Sequence, residues 1–321
     1  MKKNGFGKFI KSQAIPSLLF IFIIILAITH PSFVSPTNIK NVLTDTGIYG
    51  IAAMAMTMAI ITGAFDLSMA GNFAWGQIFF CWMLNKYGNT GMGIFLSFLA
   101  MVATTTFVGT LNGIITVKFG IPAFITTMGM NYIMKGVSLV FTGSDMIATA
   151  NEFVKWFGKQ SFLGLSYITW VFVLVAAVAF VIMRFTQFGR NLYATGGNKV
   201  AAQLSGINVG FYSAVPFAIC GLAVGIAAAM YVCEIRAGSV LYGTDLALTC
   251  VAATVVGGTP LSGGKGGVGK TVIGILLIYV MYKGLGFLGL DGYMNTMVKG
   301  IVLLAVVTFD AYVTQSGTKK A

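Results

Sequence analysis

Toward the C-terminal end, Gly264-Lys265-Gly266-Gly267-Val268-Gly269-Lys270-Thr271 satisfies the pattern GxxxxGK[ST], which in many ATPases cradles phosphates. Such a loop works when a buried parallel strand delivers backbone N–H groups and a lysine to phosphates at a helix N-terminus. The surroundings do not supply this. Residues 251–256 could form a strand, but residues 272–282 are apolar all round, whereas a helix covering a soluble sheet shows a polar face. The downstream acids, Asp291 and Asp310, do not end apolar strands as a Mg²⁺-organising aspartate would. The pattern arises easily among 41 glycines. The competing reading is close backbone packing at the end of a re-entrant or broken helix.

A second set of residues could meet a solute. Asp66 sits in ITGAFDLSMAGN between two apolar runs. A carboxylate at the centre of a spanning helix costs about 3 kcal/mol, so it either caps the next helix through backbone N–H groups or faces a polar path. Ser68, Asn72, Asn112 and Asn131 lie within or beside apolar runs, able to bond the hydroxyls of a solute or neighbouring helices. Phe65, Phe73, Trp75 and Phe124 could line a path or pack. The candidate pathway set is therefore Asp66, Ser68, Asn72, Asn112, Phe124 and Asn131.

Catalytic constellations are missing from the sequence. It holds one histidine, His30, and four cysteines (Cys81, Cys220, Cys233 and Cys250) without CxxC spacing, so the cysteines read as small packing residues. No Ser/His/Asp set or paired carboxylates stand out. The expectation is a protein that is not an enzyme, with no metal and no cofactor.

The elements that must position these residues belong in lipid. Hydrophobic residues make up 57% of the 321 and charged residues 9%, against roughly 45–50% and 25% in soluble domains. A soluble monomer does not expose apolar surface on that scale. The net charge of +12 is spread as single Lys and Arg residues between apolar runs, which argues against a nucleic-acid partner. The fold expected is an all-α integral membrane protein.

At roughly 20 residues per span, interruptions in the apolar runs give about ten transmembrane helices. They fall at 14–30, 47–63, 69–85, 92–117, 122–141, 163–183, 211–231, 245–258, 271–284 and 293–310. With the N-terminus in the cytoplasm, Lys2, Lys3, Lys8, Lys11, Lys118, Arg184, Arg190, Lys199, Lys265, Lys270, Lys319 and Lys320 lie inside. Lys40, Lys86, Lys155, Lys159, Arg236 and Lys283 lie outside. Twelve against six favours cytoplasmic termini. Residues 1–14 then form a cytoplasmic segment rather than a cleaved leader, 15–310 the membrane domain and 311–321 a cytoplasmic tail. Residues 142–162 face outside. Residues 184–210 form a long inside loop, with a short helix expected around 200–204, and a cytoplasmic partner would meet this loop first. A weak internal echo pairs GAFDLS at 63–68 with GGTPLS at 257–262, both ending apolar runs as at the broken helices of transporter repeats.

Four stretches in one order carry a resemblance: TGAFDLSMAG, Asn112-Gly113 with GIPAFITTMGM, GRNLYATGGNKVAAQLSGI, and GGTPLSGGKGGVGKTVIG. Over about residues 40–310 the chain resembles the permease subunits of bacterial ABC importers for ribose, xylose, galactosides and related sugars. The resemblance implies a type II ABC importer fold and import of a monosaccharide across the cytoplasmic membrane, with ATP hydrolysed by a separate cytoplasmic ATPase subunit. It implies an external sugar-binding protein and a second permease copy as further partners. It also implies that 196–206 is the element docking on the ATPase, with Gly197, Asn198, Ala201, Ala202, Leu204, Ser205 and Gly206 as coupling residues. Three positions depart from the family pattern: Lys199-Val200 where acidic residues are frequent, Gly63-Ala64-Phe65 before Asp66, and Lys270 in place of glycine. Alternative readings are a related permease for nucleosides, a signalling sugar or branched-chain amino acids, an ion-coupled secondary transporter, and a P-loop ATPase.

Overall fold

The structure, a computed structural model, describes residues 21 and 23–289 together with helical positions 294, 297, 298, 300, 301, 304, 305 and 308. The expected segments 1–14 and 311–321 lie outside the described residues, as do most of 293–310 and residues 14–20 of the first expected span.

Among the described residues a 3₁₀ turn at Pro31–Val34 is followed by helices α1 Pro36–Ile61, α2 Met69–Tyr87, α3 Gly91–Lys118, α4 Ala123–Thr142, α5 Glu152–Lys159, α6 Tyr167–Phe185, α7 Gln187–Gly197, α8 Lys199–Leu204, α9 Val209–Ile235, α10 Leu246–Val256 and α11 Val268–Phe287. Among the described residues α1, α3, α6, α9 and α11 are long and apolar enough to cross a membrane. The protein is therefore a mostly helical, multi-pass membrane protein.

Some boundaries differ from those expected. α1 starts at Pro36 rather than 47, because Ser35 caps it by accepting from the Asn38 N–H at 3.3 Å and proline suits the first helical position. The polar start PTNIKN hides that turn from a hydropathy reading. Within residues 142–162, Ile147–Ala148 (β1) pairs antiparallel with Ala237–Gly238 (β4), and α5 lies between β1 and the hairpin Ser161–Phe162 (β2) with Leu165–Ser166 (β3). Residues 251–256 belong to helix α10, not a strand.

α1 occupies the centre. Every residue from 50 to 61 is buried, with α6, α9, α10 and α11 packed around the helix. The α3–α9 crossing is close: a Cβ on Gly109 or Gly113 would overlap the carbonyls of Phe217 or Ala214, the small-residue contact that lets membrane helices approach. Outward faces are apolar, with Leu96, Leu99 and Phe107 on α3, Ile133, Val137 and Val140 on α4, and Val173, Leu174 and Val178 on α6 exposed. In water this belt would be prohibitive; in lipid it is the ordinary surface.

The echo between 63–68 and 257–262 has a structural basis, shifted by one residue. α1 ends with Gly63 at φ +81° and the Ala64 N–H bonded to Ala59 O; α10 ends with Gly258 at φ +87° and the Thr259 N–H bonded to Thr254 O. Both are the same left-handed glycine cap. Gly63 thus corresponds to Gly258, not Gly257, and the matching letters fall out of step.

Candidate functional site

The two ends of the bundle carry different chemistry. At one end three glycine-bearing segments meet: the end of α1, the end of α7, and the loop before α11. Gly264 donates its N–H to Ile61 O at 2.8 Å. A Cβ on Gly196 would overlap that same carbonyl, and one on Gly264 would lie 2.8 Å from Gly197 Cα. Side chains would force these backbones apart, so glycine is a packing requirement here. Beyond Gly197, Asn198 caps α8 by accepting from the Ala201 N–H at 3.0 Å. α8 projects Val200 and Leu204 outward, with Leu204 86% exposed. Ala202 is buried, while Gly197, Asn198, Ala201, Ser205 and Gly206 are exposed. The residues expected from the sequence to couple therefore form a hook, exposed except at Ala202, beside the end of α1 and the loop before α11.

The P-loop lookalike lies in this junction. Its loop follows helix α10 rather than a strand. Thr271, which would hold Mg²⁺ in an ATPase, is fully buried, with Oγ1 2.8 Å from Thr57 Oγ1. Thr57 Oγ1 lies 3.3 Å from Thr254 Oγ1, so three hydroxyls tie α1, α10 and α11 together. Tyr193 donates its hydroxyl to Gly266 O at 3.0 Å. Burial raises the Tyr193 phenol above its ordinary pKa, with nearby Arg184 pulling it down.

Of the candidate set from the sequence, Asp66, Ser68 and Asn112 are joined in one hydrogen-bonded chain, while Asn72 and Asn131 each bond backbone separately. Ser68 donates its N–H and its hydroxyl to Asp66 Oδ1, at 2.9 and 2.6 Å, and Asn112 Nδ2 donates to Ser68 Oγ at 2.7 Å. Asn131 Oδ1 accepts from the Gly71 N–H at 2.8 Å, and Asn72 Nδ2 donates to Thr105 O at 3.0 Å. These five are buried; Phe124 is exposed. The bonds pin the α1–α2 connection and the first turn of α2 against α3 and α4.

At the opposite end is a cavity of about 480 Å³ whose lining includes Tyr231, Tyr242, Thr244, Asp245, Thr249 and Tyr282. None of the six pathway residues lines it. Tyr49 donates to Asp245 Oδ1 at 3.4 Å, and its ring packs on Phe73 and Tyr279 at centroid distances of 6.3 and 5.1 Å. Tyr231 stacks edge-on with Phe73 and contacts Tyr242. The ion pair of Lys283 with Asp45, 2.6 Å, joins α11 to α1. Aromatic faces beside hydroxyls and a carboxylate suit a small polyol, whose C–H faces lie on rings while its hydroxyls bond the polar groups. Sequence reasoning missed these residues: Tyr49 and Tyr282 stand 233 positions apart, and each tyrosine alone reads as an interface aromatic.

Residues 38–307 match the family model described as branched-chain amino acid transport system / permease component. The chain belongs to this permease family. The permease is 32% identical to the ribose import permease protein RbsC of Escherichia coli (strain K12) over 300 residues, covering 91% of both chains. It is 34% identical to RbsC of Bacillus subtilis (strain 168) over 294 residues, 91% of the permease and 90% of that relative. The galactose/methyl galactoside import permease protein MglC of Escherichia coli (strain K12) is 28% identical over 326 residues, covering 97% of both. No solved structure matches the permease.

Proposed function

We propose that the permease is the membrane subunit of an ATP-driven importer for a monosaccharide. Similarity to ribose permeases over 91% of the chain carries this reading, and the tyrosine-lined cavity with Asp245 supports it chemically. In this reading the protein lies in the bacterial cytoplasmic membrane as a type II importer with about ten spans and cytoplasmic termini. Residues 1–14 and 311–321 are its cytoplasmic ends and 15–310 its membrane domain. ATP is hydrolysed in a cytoplasmic ATPase subunit. An external binding protein delivers the sugar, and a second copy of the chain completes the pathway.

α8 is the proposed contact with the ATPase. Closure of the ATPase would push Val200 and Leu204, and Gly196 would pass the displacement to Ile61 and Gly264. α1 and α11 would then move together. Tyr49 lies 12 residues up α1 from Ile61, roughly 18 Å along the axis, so a tilt of α1 reaches the cavity. Asp66, Ser68, Asn72, Asn112, Phe124 and Asn131 would flank the inner exit, which opens as the α1–α2 connection shifts.

The deciding experiment is ribose uptake by vesicles holding the permease, its ATPase and the binding protein encoded beside it. ATP-dependent uptake that needs all three supports the reading; ATP hydrolysis by the purified chain alone, lost in Lys270→Ala, would sink it. The family description favours one second reading, a branched-chain amino acid as solute. Ligand binding to the same binding protein separates the two.

A further inference from the structure

A second cavity, about 640 Å³, lies where α6 ends, between α7 and the start of α11. Arg184 from the last turn of α6, Arg190 from α7 and Lys270 from the first turn of α11 converge on it, beside Phe180, Met183 and Tyr193. Among the described residues none of the three cations is ion-paired, since the salt bridges there use Lys155 and Lys283. Among the described residues no carboxylate lines the cavity. α11 begins without a side-chain cap, so its positive end adds to the field. The other wall is apolar and continues along the face of α6 that carries Arg184, on which Val173, Ala177 and Phe180 are exposed.

We propose that this cavity binds the phosphate headgroup of an anionic phospholipid, with acyl chains running along α6. Charge alone would admit any phosphate. The wall of Phe180 and Met183, opening onto exposed α6, favours a molecule that is anionic at one end and apolar at the other. Position agrees: Arg184 ends a span of 19 residues, where a membrane surface places its headgroups. A lipid bridging α6, α7 and α11 would hold the loop that Tyr193 anchors through Gly266. The proposal does not depend on which solute is carried.

The test uses purified permease in phosphatidylcholine nanodiscs with and without phosphatidylglycerol, with retained lipid read by native mass spectrometry. Phosphatidylglycerol should be retained preferentially. Arg184→Gln with Lys270→Gln should weaken retention roughly thirtyfold, from about fivefold per cation near a surface. Lys270→Arg and Lys118→Gln, the latter removing an exposed cation at the end of α3, should leave it unchanged. Equal retention by the double variant and the parent overturns the proposal. So does displacement of the lipid by inorganic phosphate at matched concentration, which would mark a site for soluble anions. Retention unaltered while docking of the ATPase is lost would assign the cations to that partner instead. If the double variant is not monodisperse, Lys270→Gln alone is compared with Lys270→Arg, and equal retention by the two overturns the proposal.

Discussion

Gly264 donates its backbone N–H to Ile61 O at 2.8 Å, and Gly196 packs against the same carbonyl so closely that a methyl group would overlap it. The relationship links the end of α7, from which α8 hangs, to the ends of α1 and α11. Gly196→Ala adds that methyl and should cost about 1–3 kcal/mol in the coupled arrangement, as overpacking does. The expected result is loss of most solute-stimulated hydrolysis in the assembled complex while basal hydrolysis by the ATPase persists. Unchanged stimulation would remove Gly196 from the coupling path.

The Thr271 hydroxyl is a helix-packing group. Thr271→Val should lower the thermal midpoint of the purified permease through a loss of about 1 kcal/mol from its bond to Thr57. Measured without anionic lipid, Lys270→Ala should leave that midpoint alone, because Lys270 is exposed. Neither change should alter nucleotide binding to the isolated chain, measured by equilibrium dialysis with ATP.

Asp245 accepts from Tyr49 and Thr249 at the mouth of the tyrosine cavity. If solute passes there, Asp245→Asn removes a charged acceptor and should raise the uptake KM on the order of tenfold, the worth of one hydrogen bond to a charged group. Tyr242→Ala should act in the same direction. Uptake kinetics unaltered in both would place the pathway elsewhere.

Gln77 is fully buried on α2, and among the described residues neither of its side-chain amide atoms has a hydrogen-bond partner. Gln77→Leu keeps the volume and removes two desolvated polar atoms, so stability should hold or rise by up to about 1–3 kcal/mol. If uptake falls while the melting temperature rises, the amide serves the solute or its path. By contrast, Asn131→Leu strands the Gly71 N–H and should lower the melting temperature.

Lipid embedding was readable from composition, because a 57% hydrophobic chain has one solvent in which its surface is cheap. The break at Gly63–Ser68 and the polar loop between α6 and α9 were readable too, since glycine caps and a long polar stretch are local signals. The P-loop pattern was also local, and it misleads: its meaning depends on the element before it, which is a helix. Hydropathy placed the start of α1 eleven residues late, because a capping serine and a proline carry no apolar signal.

The tyrosine cavity and the cationic cavity could not be read from the chain. Each gathers residues from helices far apart in sequence, and a lone tyrosine or arginine at a span end has the same local appearance whether it packs, anchors or binds. The joining of Ile61, Gly196 and Gly264 is of the same kind: glycine marks where backbones can approach, and packing in three dimensions selects which of 41 glycines meet.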